Sequence, residues 1–338
     1  MQRVLIIQLR QLGDILLTTP CLKELKRAYP RCQITFLCHS MGRLVLEDNP
    51  YIDEKFYYNE RGSLHELRLM RTLAERRFDA VIDFMANPRS ALYAFASRAP
   101  RRIAFWSRRR FFYTETVARA LESDYIVREK FRLLAALGGV TARSEELCLP
   151  WMEQHTSPLM EVLGREDAFR NARQRIVISP TNRRQGRRWP LQHYARLAER
   201  LAQLPETSVM WVWGPGEEEL INEVMALTKV PTLKAPPTGF RELAALIANC
   251  DLFIGNSNGP SHIAVAVATP SLQIHGPTQA RAWSPQTLTH RAIEAPHGDL
   301  LTLDPNKVWH EIEAMWDVVQ KSADARRQHG VKIRWNHI

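Results

Sequence analysis

The chain has 338 residues, an ordinary apolar content of 45% and a formal net charge of +10. This length suits two domains of common size, and no apolar run is long enough to span a membrane. The positive charge suits an anionic partner, such as nucleic acid, an acidic membrane face or a phosphorylated substrate.

The five cysteines are odd in number and show no C-x-x-C spacing. This pattern predicts reduced thiols in the cytoplasm and argues against a disulfide framework or a zinc site. The N-terminal apolar run is short before charge returns, which predicts a first strand and not a signal peptide.

The first half of the chain alternates strands with helices. We expect strands at 3–9, 33–38, 79–84 and 102–105, and helices at 19–29, 64–75, 88–96 and 123–137. This alternation predicts a parallel sheet with helices on both faces. A loop at 10–15, after the first strand, holds Gly13 and Asp14.

A second series follows an irregular linker region at 140–156. We expect helices at 157–172, 191–204, 217–227, 240–248 and 306–321, and strands at 175–179, 209–213, 251–255 and 271–275. The predicted domains are therefore 1–156 and 157–305, followed at 306–338 by a helix that packs back toward the N-terminal domain and a basic tail. Two similar halves predict a ligand-binding cleft between them.

The stretch 250–278 reads as a compact strand–turn–helix–strand unit. Its turn runs from Asn256 to Gly259, and Pro260 takes the first helical position. Backbone N–H groups and the positive end of a helix dipole converge at this turn, which favours a phosphate or diphosphate site. The alternative is an ordinary unit whose glycines serve only the turn.

Asp14 follows the first strand, on a loop that faces the cleft in sheets of this kind. A carboxylate there can act as a general base on an attacking hydroxyl. Equally, Asp14 can cap the helix that follows.

Four arginines occupy the six residues 183–188, on a loop that enters a helix at Pro190. Their charge can neutralise a leaving diphosphate, although a solvated basic loop is the simpler explanation for any one of them. The acidic run 217–219 suits the start of a helix and can also offer a ribose contact. His262, one turn after Gly259, suits either a phosphate contact or an ordinary helix position.

No dinucleotide fingerprint, Walker sequence or plausible metal site occurs in the chain. We therefore expect no metal and no cofactor.

The motifs taken together resemble glycosyltransferase family 9, the ADP-heptose:lipopolysaccharide heptosyltransferases. Residues 3–20, RVLIIQLRQLGDILLTTP, resemble the opening of that family, and residues 187–190, RRWP, resemble its K-x-W-P segment. Residues 214–218 resemble its G-P-x-[DE]-E turn. Residues 259–262 with 275–278 resemble its G-P-x-H and F-G-P-T block. Four motifs in this order are specific, although each alone is not.

This resemblance implies an α/β protein of the GT-B fold, with two Rossmann-like parallel-sheet domains facing a central cleft. It implies a metal-independent, inverting transfer of a heptose from ADP-heptose to the inner core of lipopolysaccharide, with Asp14 as the general base. The donor and diphosphate set that it implies comprises Gly13, Arg187, Glu218 (or its neighbour Glu217), Ser257, Asn258, Gly259, Pro260 and His262.

The chain departs from the family pattern at two places. Ser257 and Asn258 replace an aspartate and a threonine or serine that precede Gly-Pro in the family, which leaves the identity of the donor sugar open. Arg187 replaces a lysine, which keeps the charge but changes a point charge into a planar fork.

An anionic lipopolysaccharide acceptor at the cytoplasmic face of the inner membrane suits the basic N-terminal half, so we expect peripheral contact with that membrane and no nucleic-acid partner. The candidate acceptor contacts are Arg61, Arg89, Arg101 and Arg102, with Arg108, Arg109 and Arg110 as further choices. Three alternatives stay open: a family relative that uses another nucleotide sugar or acceptor, a catalytically weakened relative, and a basic nucleic-acid-binding protein.

Overall fold

A computed structural model describes residues 1–58, 62–120, 122, 124–150, 159 and 161–329. The chain divides into two units, Met1–Pro150 and Trp151–Ile338. Each unit contains a six-stranded sheet, and every strand pair in both sheets is parallel. The predicted α/β fold class is therefore confirmed.

The sheet of the first unit has the strand order β3-β2-β1-β4-β5-β6. Its strands are β1 (Arg3–Ile7), β2 (Gln33–His39), β3 (Glu54–Tyr58), β4 (Ala80–Asp83), β5 (Arg101–Phe105) and β6 (Glu115–Val117). The described helices are α1 (Leu12–Leu16), α2 (Thr19–Ala28), α3 (Arg43–Leu46), α4 (Ser63–Glu75), α5 (Pro88–Ala96) and α6 (Ile126–Ala135). After the exposed Arg3, the residues of β1 are all apolar and buried, because helices cover both faces of a sheet of this kind.

The sheet of the second unit has the order β12-β11-β10-β7-β8-β9. Its strands are β7 (Gln174–Ser179), β8 (Thr207–Trp211), β9 (Leu233–Lys234), β10 (Leu252–Asn256), β11 (Ser271–His275) and β12 (His290–Glu294). The described helices are α7 (Asp167–Arg170), α8 (Leu191–Ala202), α9 (Glu218–Leu227), α10 (Phe240–Ala248), α11 (Gly259–Ala266), α12 (Ala280–Trp283) and α13 (Pro305–His329).

In both sheets the strand order reverses beside the first strand. β1 lies between β2 and β4, and β7 lies between β10 and β8. Loops that leave the carboxyl ends of strands at such a point line a crevice where ligands bind. The segment that carries Asp14 leaves β1, and the arginine-rich loop leaves β7, so each unit places a predicted site segment at this position.

Several sequence predictions need correction. The predicted loop at 10–15 contains helix α1. The predicted helix at 157–172 is interrupted in its described part, because residues 164–165 form a turn before α7 begins. Strands β3, β6, β9 and β12 were missed because each lies at a sheet edge and is only partly buried, so none has a continuous apolar run.

The long helix α13 buries the apolar stripe that the sequence predicted. Val308, Ile312, Met315 and Val319 are all at most 1% exposed, and the helix packs on α8, β7 and β12 of its own unit. Packing of 306–338 toward the first unit stays a prediction.

No two of the five cysteines, all described and all buried, form a disulfide. Within the described residues, no helix combines the length and the apolar character needed to cross a bilayer.

Candidate functional site

Two loops that follow the carboxyl ends of strands in the second sheet are joined by two asparagines, one fully buried and one half-buried. Asn256, at the end of β10, accepts the backbone N–H of Trp189 at 3.0 Å and donates to the carbonyl of Pro180 at 2.9 Å. Asn182 donates to the carbonyl of Ser257 at 3.2 Å. These bonds hold the loop after β7 against the turn after β10, so the arginine-rich segment and the start of α11 share one region.

Sequence reasoning missed the structural role of Asn256. The available signal was its position: a polar residue that ends an apolar strand and is fully buried must find hydrogen-bond partners. Asn182, directly before the first arginine of the cluster, carried no comparable signal.

Trp189 anchors the arginine-rich loop. Its indole is fully buried, its Nε1–H donates to the carbonyl of Leu303 at 3.0 Å, and its ring meets that of Tyr194 at a centroid distance of 4.9 Å. The Trp-Pro part of the motif therefore has a structural role, since it fixes where the preceding arginines lie.

The four arginines of this loop have different surroundings. Arg183 and Arg184 are exposed, and Arg188 folds back so that its Nε donates to the carbonyl of Asn182. Arg187 is half-buried, and burial, followed by the neighbouring charge of Arg184, lowers its pKa below the ordinary arginine value. Arg187 and Arg188 are therefore the half-buried members of the cluster, and the structure uses Arg188 to hold the loop.

The start of α11 is capped by Asn258, whose side chain accepts the backbone N–H of Ser261 at 3.3 Å. The Ser261 hydroxyl donates to the carbonyl of Asn256 at 2.6 Å. A Cβ at Gly259 would meet no other atom within 4 Å, so space is open at the first turn of the helix. At Gly255, by contrast, a Cβ would lie 3.0 Å from the carbonyl oxygen of Ser179, so close strand approach requires this glycine.

Two histidines lie near this helix start. His262 is 6% exposed, and its ring lies 6.2 Å from that of Trp283. His275, at the end of β11, is fully buried and bonds Thr278 through Nδ1 at 3.2 Å. Burial, then the nearby His262 and more weakly Arg187, lowers the pKa of His275 to about 4. His275 is therefore neutral at physiological pH, and Arg187 supplies the permanent charge in this group.

Among the described side chains, no three His, Cys, Asp or Glu residues gather in a way that could hold a metal ion.

A cavity of about 260 Å³ lies beyond the ends of β8 and β9. Trp213, Glu218 and the Pro236-Pro237 pair are among its lining residues. At the wall of this cavity, Glu218 accepts a hydrogen bond from Lys234 at 2.8 Å. Glu217 instead accepts the backbone N–H of Gly214 at 3.1 Å. Of the two glutamates left open by the sequence, Glu218 faces the cavity.

In the first unit, Asp14 lies in the first turn of α1. Its carboxylate accepts the backbone N–H of Gln11 at 3.2 Å, and the residue stays partly exposed. Asp14 therefore caps its own short helix and not α2. The same carboxylate is also accessible to solvent. Gly13 precedes it in the same turn.

The candidate acceptor arginines occupy different places. Arg89 lies in the first turn of α5, beyond the carboxyl end of β4, where it pairs with Glu66 at 3.3 Å and covers the ring of Tyr58. Because α1 and α5 both begin where a parallel strand ends, Arg89 and Asp14 lie at the same edge of the sheet.

Arg101 and Arg102 begin β5, at the opposite edge of the sheet from Asp14. Arg101 makes a bidentate pair with Glu115 at 2.8 and 2.9 Å. Arg102 donates to the carbonyls of Ala99 and Phe112 at 2.6 and 2.9 Å. Both guanidinium groups thus have structural partners, and this placement gives no support to an acceptor role. Arg61 lies outside the described residues.

A family model described as glycosyltransferase family 9 (heptosyltransferase) matches residues 66–307, more than half of the chain. Lipopolysaccharide heptosyltransferase 3 of Escherichia coli K12 is 28% identical over 299 residues, covering 82% of this chain and 84% of that protein. Lipopolysaccharide heptosyltransferase 2 of Salmonella typhimurium LT2 is 23% identical over 346 residues, covering 93% of this chain and 98% of that protein.

Solved structures of low identity share the fold. A family 9 glycosyltransferase of Veillonella parvula superposes with a TM-score of 0.83 at 21% identity, covering 95% of this chain and 97% of that one. E. coli heptosyltransferase WaaC with ADP gives a TM-score of 0.72 at 20% identity, covering 95% and 100%. The two parallel-sheet units are those of the GT-B fold, and the chain belongs to glycosyltransferase family 9, the heptosyltransferase family.

Proposed function

We propose that this glycosyltransferase moves a heptose from ADP-heptose to the inner core of lipopolysaccharide, with inversion at the anomeric carbon. The relatives named above act on lipopolysaccharide by their names, and a solved structural neighbour holds ADP. The observation that carries the proposal is the grouping of Arg187 with the open first turn of α11, in the same unit as a nucleoside-sized cavity beside Glu218.

The donor is assigned to the second unit. The adenosine occupies the cavity between Trp213 and the Pro236-Pro237 pair, with Glu218 near the ribose. The diphosphate lies at the first turn of α11 with Arg187, where helix N–H groups and a cation offset its charge without a metal or cofactor. His262 and Pro260 also line the diphosphate site, and the backbone at Ser257 and Asn258 faces the donor sugar.

Asp14 acts as the general base. Its carboxylate takes the proton of an acceptor hydroxyl as the hydroxyl oxygen forms a bond to the anomeric carbon of the heptose. The bond from that carbon to the diphosphate breaks, and ADP leaves with the electron pair. A single displacement of this kind inverts the anomeric configuration.

The proposal is tested by mass spectrometry of truncated core lipopolysaccharide after incubation with the protein and one nucleotide sugar at a time. We expect a mass increase of one heptose with ADP-heptose and none with other ADP- or UDP-sugars. Transfer from a different donor would overturn the heptose assignment, and absence of transfer from every donor tried would overturn the activity.

Arg187→Ala is expected to weaken ADP binding by about 10- to 100-fold, since a charge-assisted hydrogen bond contributes about 1.5–3 kcal/mol. Isothermal titration calorimetry measures this change. Arg183→Ala, which removes an exposed arginine of the same loop, is the matched control and should leave the affinity within about twofold. Equal losses in both variants would show that only the net charge of the loop matters.

We also propose peripheral contact with an anionic membrane, through a face of the first unit formed by α5 and the turn 110–112. Phe95 and Phe111 are 53% and 71% exposed, and both meet the ring of Phe112. Residues 86–114 contain seven arginines and no Asp or Glu. Arg89 and Arg101 pair with glutamates from outside this stretch, whereas Arg108 and Arg110 are exposed beside Phe111 in the sequence. Exposed aromatic side chains next to exposed arginines suit the headgroup region of an acidic bilayer.

The double variant Phe95→Ser/Phe111→Ser is expected to lose most of its binding to vesicles of phosphatidylcholine with phosphatidylglycerol, measured by co-sedimentation. Leu288→Ser, which alters a 78% exposed leucine of the second unit, is the control and should bind as the parent does. Binding that is equally strong on pure phosphatidylcholine, or unchanged in the double variant, would contradict this assignment.

A further inference from the structure

One lysine of the first unit is buried without a described ion-pair partner. Lys130, on α6, is 3% exposed. Its ammonium donates to the backbone carbonyl of Asp14 at 2.8 Å, to the hydroxyl of Thr18 at 2.5 Å and to the side-chain carbonyl of Gln8 at 3.4 Å. The acceptors come from three successive pieces of chain: the end of β1, the helix α1 and the entry to α2.

These bonds fix the segment that presents Asp14. Helix α1 has only five residues, Leu12–Leu16. Asp14 is its middle residue, so its carbonyl belongs to the last turn of the helix although its side chain caps the first. A cation at the carboxyl end of a helix satisfies an end carbonyl and interacts favourably with the helix dipole. Thr18 reinforces the same point, because its hydroxyl also donates to the carbonyl of Asp14, at 2.7 Å.

The burial of this charge is unfavourable on its own. An ammonium group removed from water loses hydration free energy that neutral hydrogen-bond acceptors recover only in part. Charged or titratable groups near Lys130 are Asp14 on α1, Cys21 on α2 and Arg119 after β6, and the ring of Phe84 lies 5.4 Å from the ammonium. Asp14 is the carboxylic acid in this set, and the same residue offers its backbone carbonyl to the ammonium at 2.8 Å.

We propose that Lys130 is a positioning residue for Asp14: its ammonium holds the backbone of α1, and with it the Asp14 side chain, in place. This inference rests on the proposed role of Asp14 as the base. Burial lowers the pKa of Lys130 to about 8, against the opposing effect of the Asp14 charge. The ammonium therefore persists through neutral pH and is lost in the mildly alkaline range.

The test compares Lys130→Met, which removes the charge, with Lys130→Arg, which keeps it. We expect Lys130→Met to lower kcat by about 10- to 100-fold through misplacement of the base, with ADP affinity unchanged. The rate of the parent enzyme should fall as the pH rises through the mildly alkaline range, where Lys130 loses its charge, and Lys130→Met should lack this alkaline limb. Lys130→Arg, whose guanidinium stays charged at every pH of the assay, should recover part of the rate and also lack the alkaline limb.

A readout independent of turnover is the hydrogen–deuterium exchange of the backbone N–H groups of α1 and the residues that join it to α2. Exchange should be faster in Lys130→Met than in the parent, and Lys130→Arg should lie closer to the parent. If Lys130→Met does not fold, Thr18→Val removes one of the three acceptors and should speed exchange by less. Unchanged exchange in a folded Lys130→Met protein overturns the proposal.

The Asp14→Asn background separates this inference from the proposed function. If Lys130 acts through Asp14, adding Lys130→Met to Asp14→Asn should cause little further loss of rate. Full activity of Asp14→Asn itself would instead overturn the assignment of the base. Additive losses in the double variant would show that Lys130 acts independently of Asp14, which contradicts the inference.

Discussion

Replacement of Asp14 by alanine is expected to lower the rate of heptose transfer by about 100- to 10,000-fold, the range that a positioned general base contributes. ADP binding should change by no more than a few fold, because the proposed nucleotide contacts other than Gly13 lie in the second unit. Transfer is measured by mass spectrometry of the acceptor, and ADP binding by calorimetry.

Asp14→Asn is the matched variant for this experiment. The amide keeps the shape of the side chain and an oxygen that can accept the N–H of Gln11, now 3.2 Å from the carboxylate, but it cannot take a proton at neutral pH. Both variants should therefore lose transfer activity to a similar extent, with the asparagine variant the more stable. An active Asp14→Asn protein would show that the capping role of this residue, and not proton transfer, explains its position.

Trp189→Ala is expected to lower the free energy of unfolding of the second unit by about 3–5 kcal/mol, the usual effect of removing a large buried aromatic side chain. The fully buried indole packs on Tyr194 and donates to the carbonyl of Leu303. Loss of this anchor should also release the loop that carries Arg187 and weaken ADP binding. Urea unfolding followed by circular dichroism measures the first effect and calorimetry the second.

The control for this variant is Trp106→Ala, since Trp106 is 60% exposed and its removal should change stability by no more than about 0.5 kcal/mol. Trp189→Phe should retain most of the packing and lose the hydrogen bond to Leu303. A Trp189→Ala protein as stable as the Trp106→Ala protein would mean that the loop is held by Asn256 alone.

The locally encoded elements agree well with the sequence. The predicted helices at 88–96 and 240–248 and the predicted strand at 271–275 match α5, α10 and β11 residue for residue. Each is marked by features within a short window: a proline at the first helical turn, an apolar stripe of helical period, or a short apolar run between turns. The alternation of such elements was enough to predict two parallel sheets.

The choice among neighbouring residues depended on contacts that no short window contains. Arg187 differs from Arg183 because an anchor at Trp189 turns it inward, and Glu218 differs from Glu217 because the latter is used by the turn at Gly214. Residues of one type, side by side in the chain, are chemically equivalent until packing gives them different partners.

The sequence by itself determined the fold class, the family and the segments that carry the chemistry, because periodicity, turn residues and motif order are local properties of the chain. Only the tertiary structure decided which side chains those segments present. In the folded protein Arg101 pairs with Glu115, and Lys130 donates a hydrogen bond to the backbone of Asp14, 116 positions away in the sequence. Such pairings follow from sheet register and helix packing, which the whole fold sets together.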